Sequence, residues 1–145
     1  MKSWVCAAII SCAAQIAQAQ GWGNLDALLY QNLTNSGTAE VSFWLPNASD
    51  PAQATVAIGV VYEYIPGSAG NTGIATGVFV RQENGWVFAG EVDGMFGQQP
   101  RDAAFSQGFV DVTTTMPGPN DARCCPSVPT RWRIDFDGLK AVQLN

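Results

Sequence analysis

Residues 74–92 read IATGVFVRQENGWVFAGEV, and this stretch decides the fold class. Two runs rich in β-branched and aromatic residues flank the dipeptide Asn84-Gly85. Such runs favour strands, and Asn-Gly favours a tight type I′ turn because both of its central residues need a positive φ. The pattern therefore predicts a β-hairpin and, with it, an antiparallel sheet.

The segments before this hairpin also have strand patterns. Residues 38–45, TAEVSFWL, alternate apolar and polar side chains, and residues 54–65, ATVAIGVVYEYI, are almost continuously apolar. Alternation is typical of a half-buried strand, whereas a continuous apolar run is typical of a central strand with two covered faces. A glycine within such a run, here Gly59, is expected to mark a bulge.

The segments after the hairpin are of two kinds. Residues 109–116, FVDVTTTM, alternate, and residues 130–144, TRWRIDFDGLKAVQL, predict a closing hairpin that turns at Asp137-Gly138. Residues 93–108, DGMFGQQPRDAAFSQG, follow neither the strand nor the helix period. They predict a long irregular connection.

A short helix is predicted ahead of the strands, within residues 21–37, GWGNLDALLYQNLTNSG. Leucines recur at helical spacing, and Asn24 is suited to cap the first turn. The predicted fold class is therefore α+β, a short N-terminal helix followed by a mainly antiparallel sheet of six or seven strands. An all-β sandwich or barrel is the alternative.

The first 19 residues have the pattern of a secretory signal peptide. Lys2 supplies the positive start, an apolar run follows, and Ala17-Gln18-Ala19 provides small residues at the cleavage site before Gln20. The run is shorter than a membrane-spanning helix requires. We expect residues 20–145 to form a single exported domain, located in the periplasm or secreted. Lipid anchoring through Cys12 is the minor alternative.

Composition excludes several classes of function. The chain has no histidine, only 13% charged residues and a net charge of -5. The negative charge disfavours nucleic acid, and the lack of histidine removes the commonest general base and metal ligand. Two carboxylate pairs, Glu91 with Asp93 and Asp135 with Asp137, lie at hairpin ends, where acidic residues are most often solvated. The sequence therefore predicts no catalytic residues, no cofactor and no metal site.

The adjacent cysteines Cys124 and Cys125 are the only thiols outside the signal peptide. A disulfide between neighbours closes a small ring, since Cα atoms joined by a trans peptide are about 3.8 Å apart, closer than most disulfides allow. Such a ring favours a rigid turn or a readily reduced redox pair. Linkage to another chain and binding of a soft metal ion are the remaining alternatives.

Aromatic and basic residues in the strands suggest a surface for a partner. Trp44 falls on the polar face of its strand, where it would suit a protein partner or a sugar unless a second layer covers it. Arg131 and Arg133 flank Trp132 and could hold an anionic partner. On an acidic protein, the two arginines are also expected to pair with a carboxylate on the next strand.

Residues 118–134, GPNDARCCPSVPTRWRI, carry a family resemblance. They resemble a loop with Gly-Pro-Asn-Asp, Cys-Cys-Pro-Ser and then a basic, aromatic closing strand in small exported bacterial proteins and lipoproteins of the LppP/LprE type. The apolar strand and Gly-rich turn upstream are also similar, so the resemblance covers about the last 90 residues. It implies an exported bacterial domain of unknown function and no particular reaction.

These observations favour a periplasmic, non-enzymatic binding or structural domain. Its partner would be another periplasmic or envelope protein, and no segment after the signal peptide is long and apolar enough to span a membrane. The alternative function is thiol redox chemistry or soft-metal binding through Cys124 and Cys125.

Overall fold

The computed structural model describes residues 21–145, so the predicted signal peptide and Cys12 lie outside the described residues. In chain order the elements are α1 (Leu25–Leu33), β1 (Val41–Pro46), β2 (Val56–Tyr64), β3 (Thr72–Gln82), β4 (Gly85–Val92), β5 (Gln98–Ser106), β6 (Phe109–Met116), β7 (Val128–Asp135) and β8 (Lys140–Gln143). The prediction of a mainly antiparallel β fold with a short N-terminal helix is confirmed.

The strands form two antiparallel sheets rather than one. The first sheet has the order β1-β2-β3-β4 and the second sheet β5-β6-β7-β8. Every strand pairs with its neighbour in the sequence, except across the connection from β4 to β5. The eight strands in two sheets therefore match the predicted single sheet of six or seven strands only roughly, and the layout is closer to the sandwich alternative with a helix added.

The helix begins where the sequence predicts. The side chain of Asn24 accepts a hydrogen bond from the backbone N–H of Ala27 at 3.1 Å, which satisfies one of the free N–H groups of the first turn. Past the helix end, the backbone N–H of Ser36 donates to the carboxylate of Glu63 at 2.7 Å. Because Glu63 belongs to β2, this contact ties the end of the helix to the first sheet.

The hairpin that opened the sequence argument is present, but its turn differs from the prediction. Gln82 lies opposite Gly85, so Glu83 and Asn84 form the tip. Gly85 has a positive φ of 131°, whereas Asn84 does not have a positive φ. The turn is therefore not type I′, and the glycine begins the return strand instead of completing the tip.

The bulge predicted at Gly59 is not there. Gly59 pairs directly with Gly77 in an uninterrupted register, and the irregularity lies one strand further on, where Val78 faces Gly90 and Phe79 faces Phe88. Gly59 serves close packing instead. A Cβ atom on it would overlap Leu29 Cδ2 and lie 2.8 Å from Phe79 Cε2. The absent side chain lets the helix lie close to the sheet.

The segment predicted as an irregular connection contains strand β5. Its pairing with β6 shifts register twice, between Gln98 and Arg101 and between Arg101 and Ala104. Gln99 and Asp102, which lie in these two intervals, have positive φ values of 54° and 53°. Such irregularities change which face each side chain occupies, so the strand shows no two-residue period in its sequence.

The main core lies between the two sheets. Val60 of β2 and Val112 of β6 are fully buried and belong to one continuous apolar cluster. Its buried members are Ile58, Val60, Tyr62, Val78, Val92, Met95, Val110, Val112, Trp132 and Ile134. Because both sheets contribute, the cluster holds them face to face.

A second core lies between the helix and the other face of the first sheet. It consists of Leu29, Leu33, Val61 and Phe79, all buried. The molecule therefore has three layers, helix, first sheet and second sheet. Among residues 21–145, no helix or strand covers the outer face of the second sheet.

Candidate functional site

The cysteine loop, residues 117–127, joins β6 to β7 and is organised by Asp121. The backbone N–H of Gly118 and the hydroxyl of Ser127 each donate to Asp121 Oδ2 at 2.7 Å. These hydrogen bonds hold the pKa of Asp121 below its usual value, and the bond from Gly118 has the largest effect. An ionised aspartate thus stabilises the loop independently of the cysteines.

Cys124 and Cys125 form a disulfide at the tip of this loop, and both residues are exposed. The backbone N–H of Cys125 donates to the carbonyl of Ala122 at 2.9 Å. Neither cysteine belongs to the two apolar cores. The pair is therefore open to thiol reagents, while the bonded sulfurs are not thiolates that could ligate a metal ion.

We expect the Cys124→Ser/Cys125→Ser variant to keep its fold. A disulfide stabilises a protein more when it closes a longer loop, and here it links adjacent residues that bury no core surface. The free energy of unfolding should fall by about 1 kcal/mol or less. Urea denaturation of both proteins measures this. A loss of several kcal/mol would instead make the ring a structural clip.

A cleft of about 390 Å³ opens beside the cysteine loop, at one end of the space between the sheets. Arg123 and Pro126 of the loop line it together with Phe96. Phe96 is 54% exposed, and its ring lies 6.1 Å from that of Trp132. At the cleft wall, the hydroxyl of Tyr62 donates to the carbonyl of Gly97 at 2.8 Å. The cleft is small, and its lining combines apolar residues with Thr72, Gln98, Thr115 and Arg123.

Arg131 and Arg133 lie on the outer face of the second sheet and converge on Asp111 of the neighbouring strand β6. Arg133 makes two parallel hydrogen bonds to the carboxylate, at 2.8 and 2.9 Å, and Arg131 Nη2 lies 3.8 Å from it. The hydrogen bonds from Arg133 are the main reason that the pKa of Asp111 is lowered. The predicted pairing with a carboxylate on the next strand is confirmed.

Arg101 of β5 lies on the same face as these two arginines and was not among the residues predicted from the sequence. Its Nη1 donates to the hydroxyl of Thr115 at 2.9 Å, just as Arg131 Nη1 donates to the hydroxyl of Thr113 at 3.1 Å. The guanidinium of Arg133 also lies 4.0 Å above the ring of Phe109. We call this surface, with Arg101, Arg131, Arg133 and Asp111, the arginine face.

Charge is unevenly distributed between the two parts of the chain. Residues 21–97 contain one basic and seven acidic side chains, whereas residues 98–145 contain five of each. The helix and first sheet are therefore acidic, and the cations concentrate on the second sheet and its loops. A charged partner therefore meets a net negative charge on the helix and first sheet and a balanced set of charges on the second sheet and its loops.

The two tryptophans predicted to contact a partner are placed differently. Trp132 is only 5% exposed, and its Nε1 donates to the hydroxyl of Thr114 at 2.8 Å inside the main core. The side chain of Trp132 is not available to a partner, because it lies on the face of β7 that packs against the first sheet. Trp44 is half-buried and packs against Phe79 of the second core, with the two ring centroids 5.5 Å apart.

Asp135 and Asp93, one from each acidic pair, make hydrogen bonds that stabilise the fold. The carboxylate of Asp135 accepts hydrogen bonds from the backbone N–H groups of Asp137 and Gly138, which fixes the β7–β8 turn. The backbone of Asp93 pairs with Leu139 and Ala141, joining the end of β4 to β8. Within residues 21–145, no three histidine, cysteine or acidic side chains gather where they could hold a metal ion.

No protein-family model, curated protein or solved structure matches this chain. No helix within residues 21–145 has the length and apolar character that crossing a membrane requires.

Proposed function

We propose that residues 20–145 form an exported, non-enzymatic binding domain of the periplasm or cell surface, and that the arginine face binds an acidic segment of another envelope protein. One observation carries the proposal. Three arginines lie on the sheet face that no other described element covers: Arg131 and Arg133 contact Asp111, and Arg101 Nε lies 4.0 Å from the exposed carboxylate of Asp102. Cations arranged in this way leave positive charge on an accessible surface.

The chemistry of the face favours carboxylates. A guanidinium group presents a planar fork of donors that matches a carboxylate in two parallel bonds. Arg133 already uses its fork on Asp111. Arg101 and Arg131 donate hydrogen bonds to hydroxyl and carbonyl oxygens and make only long ion pairs, at 4.0 Å to Asp102 and 3.8 Å to Asp111. These two arginines have donors left for an incoming carboxylate.

Exposed apolar residues beside the arginines favour a protein partner over a small anion. Val142 of β8 lies opposite Arg133 and is 63% exposed, and Leu144 next to it is 45% exposed. Protein interfaces commonly combine apolar contacts with arginine. The acidic remainder of the chain would repel a long polyanion such as nucleic acid but not a short acidic segment that touches this face alone.

Titration with a hexaglutamate peptide, followed by two-dimensional NMR at low salt, tests the proposal. We expect the amide signals that the peptide shifts to belong to residues of β5, β6 and β7. At high salt these chemical-shift changes should vanish, because salt screens the exposed charges. The Arg101→Gln/Arg131→Gln variant should bind about tenfold more weakly or worse, which corresponds to about 1.4 kcal/mol. That variant retains the pair between Arg133 and Asp111, so its fold should be unchanged.

Arg81→Gln is the matched control, since Arg81 is an exposed arginine of the first sheet. It should bind the peptide as the unmodified protein does. Absence of any binding, or equal losses in the control and the double variant, would contradict the proposal.

The exposed disulfide favours a second candidate function, thiol–disulfide exchange at Cys124 and Cys125. In that reaction two thiol molecules reduce the ring to two cysteine thiols and are themselves oxidised to one disulfide. Intact-mass measurement after glutathione treatment and alkylation tests it. Two alkylated thiols in protein that remains folded would support exchange, whereas reduction that requires unfolding would exclude it.

A further inference from the structure

A second cleft lies on the opposite side of the molecule from the arginine face. It has a volume of about 700 Å³ and lies between the start of α1 and the tip of the β3–β4 hairpin. Its lining includes Trp22 and Trp86 together with four polar side chains, Asn24, Arg81, Glu83 and Asn84. This volume is within the range of small-ligand sites, which typically combine aromatic walls with a few polar groups.

Two tryptophans, Trp22 and Trp86, line this tryptophan cleft, and Trp44 packs against both of them. Trp22 and Trp86 are nearly parallel, with an interplanar angle of 27° and ring centroids 6.1 Å apart. Both meet Trp44 edge to face, at 76° and 89°. Trp44 in turn packs against Phe79, so the second core holds the cluster in place. The second core therefore supports Trp86 at the cleft wall through its contact with Trp44.

The cluster differs from an ordinary apolar core in its hydrogen bonding. Among the described residues, the buried Nε1 atoms of Trp44 and Trp86 have no hydrogen-bond partner, whereas Nε1 of Trp132 in the main core is paired with Thr114. A buried donor without an acceptor is unfavourable, and native cores usually avoid it. One of these donors belongs to Trp86, which lines the cleft, so an aromatic wall of the cleft has unused hydrogen-bonding capacity.

The polar rim supplies donors and acceptors with almost no net charge. Arg81 and Glu83 have opposite charges, and the amide of Asn84 both donates and accepts. The carbonyl of Pro51 accepts a hydrogen bond from Arg81 Nη1, and the guanidinium lies 5.8 Å from the Trp86 ring centroid. Asn24 uses its amide oxygen to cap the helix, which leaves its NH₂ group as a donor.

We propose that the tryptophan cleft binds a neutral saccharide. A sugar ring has an apolar C–H face that can stack on an indole and a rim of hydroxyls that suits amide, carboxylate and guanidinium groups. A purely apolar ligand would bury the polar rim without hydrogen bonds, at a cost. Arg81 and Glu83 offset each other at the rim, and the acidic helix and first sheet around the cleft disfavour an anionic ligand. The site is separate from the arginine face.

Isothermal titration calorimetry with cellohexaose, maltohexaose and chitohexaose tests the proposal on the folded protein. We expect saturable binding of at least one of the three hexasaccharides. Trp22→Ala should weaken it about tenfold or more, because Trp22 provides a stacking surface. Trp22 precedes the helix and belongs to neither buried core, so the variant should fold.

Tyr64→Ala is the matched control, because Tyr64 is an aromatic residue, 49% exposed, that does not line the cleft. It should bind the saccharide with unchanged affinity. Failure of all three saccharides to bind would overturn the proposal, as would binding that Trp22→Ala does not weaken. Neither result would affect the hexaglutamate experiment, since that peptide addresses the other side of the protein.

Discussion

Trp132→Ala should lower the free energy of unfolding by about 3–5 kcal/mol, the usual cost of removing a large aromatic side chain from a core. Trp132 is 5% exposed, packs between the sheets and donates a hydrogen bond to Thr114. Urea denaturation gives the value. At a temperature where the variant remains folded, its affinity for hexaglutamate should equal that of the unmodified protein.

Trp132→Phe is the control for this substitution. It keeps an aromatic ring and removes the N–H donor to Thr114, so we expect a smaller loss, about 1–2 kcal/mol. Thr114 itself still donates to the carbonyl of Phe96. If Trp132→Ala instead left stability unchanged and abolished binding, Trp132 would be a contact residue on the surface, contrary to the fold described above.

Gly59→Val should lower the free energy of unfolding by about 3 kcal/mol, the upper part of the range for overpacked cores. Even a Cβ atom at this position overlaps Leu29 Cδ2 and lies 2.8 Å from Phe79 Cε2. The new side chain therefore displaces α1 from the first sheet. Thermal or urea unfolding measures the loss, and faster hydrogen exchange in α1 should accompany it.

Gly73→Val is the matched control, since Gly73 lies on the same sheet and a Cβ atom there would overlap no neighbour. A Cβ atom there meets Ile65 Cγ1 at 3.8 Å, an ordinary contact distance. The double variant Leu29→Ala/Gly59→Ala should lose less stability than the sum of the two single variants, because Leu29→Ala removes the atom that clashes. Equal effects of valine at positions 59 and 73 would refute the close packing of the helix on Gly59.

Local patterns in the sequence predicted the elements that alternate regularly. The hairpin around Gly85, the strand of residues 109–116 and the helix capped by Asn24 follow directly from period, turn and cap. Strand β5 could not be found in this way, because the positive φ values of Gln99 and Asp102 interrupt its two-residue period. Predicting one sheet instead of two was a consequence, since nothing local shows which strands pair across residues 93–97.

The candidate site was predictable only where strand neighbours determine it. The pairing of Arg131 and Arg133 with Asp111 follows from adjacent strands, but the contribution of Arg101 required β5. Alternation shows that Trp44 and Trp132 occupy a face without showing whether a second layer covers that face. Trp22 lies before the helix, where no periodic signal applies, so its meeting with Trp86 depends on tertiary structure.

The central claim is that the arginine face binds an acidic protein segment. Photocrosslinking in the native host tests it most directly. A benzoylphenylalanine at position 142 is on this face, and one at position 87, whose valine is 46% exposed on the first sheet, is the control. We predict one dominant adduct, from position 142 only, to an acidic segment of another protein, reduced about tenfold by Arg101→Gln/Arg131→Gln. Equal adducts from both positions, or an adduct that the arginine substitutions do not reduce, would contradict the claim.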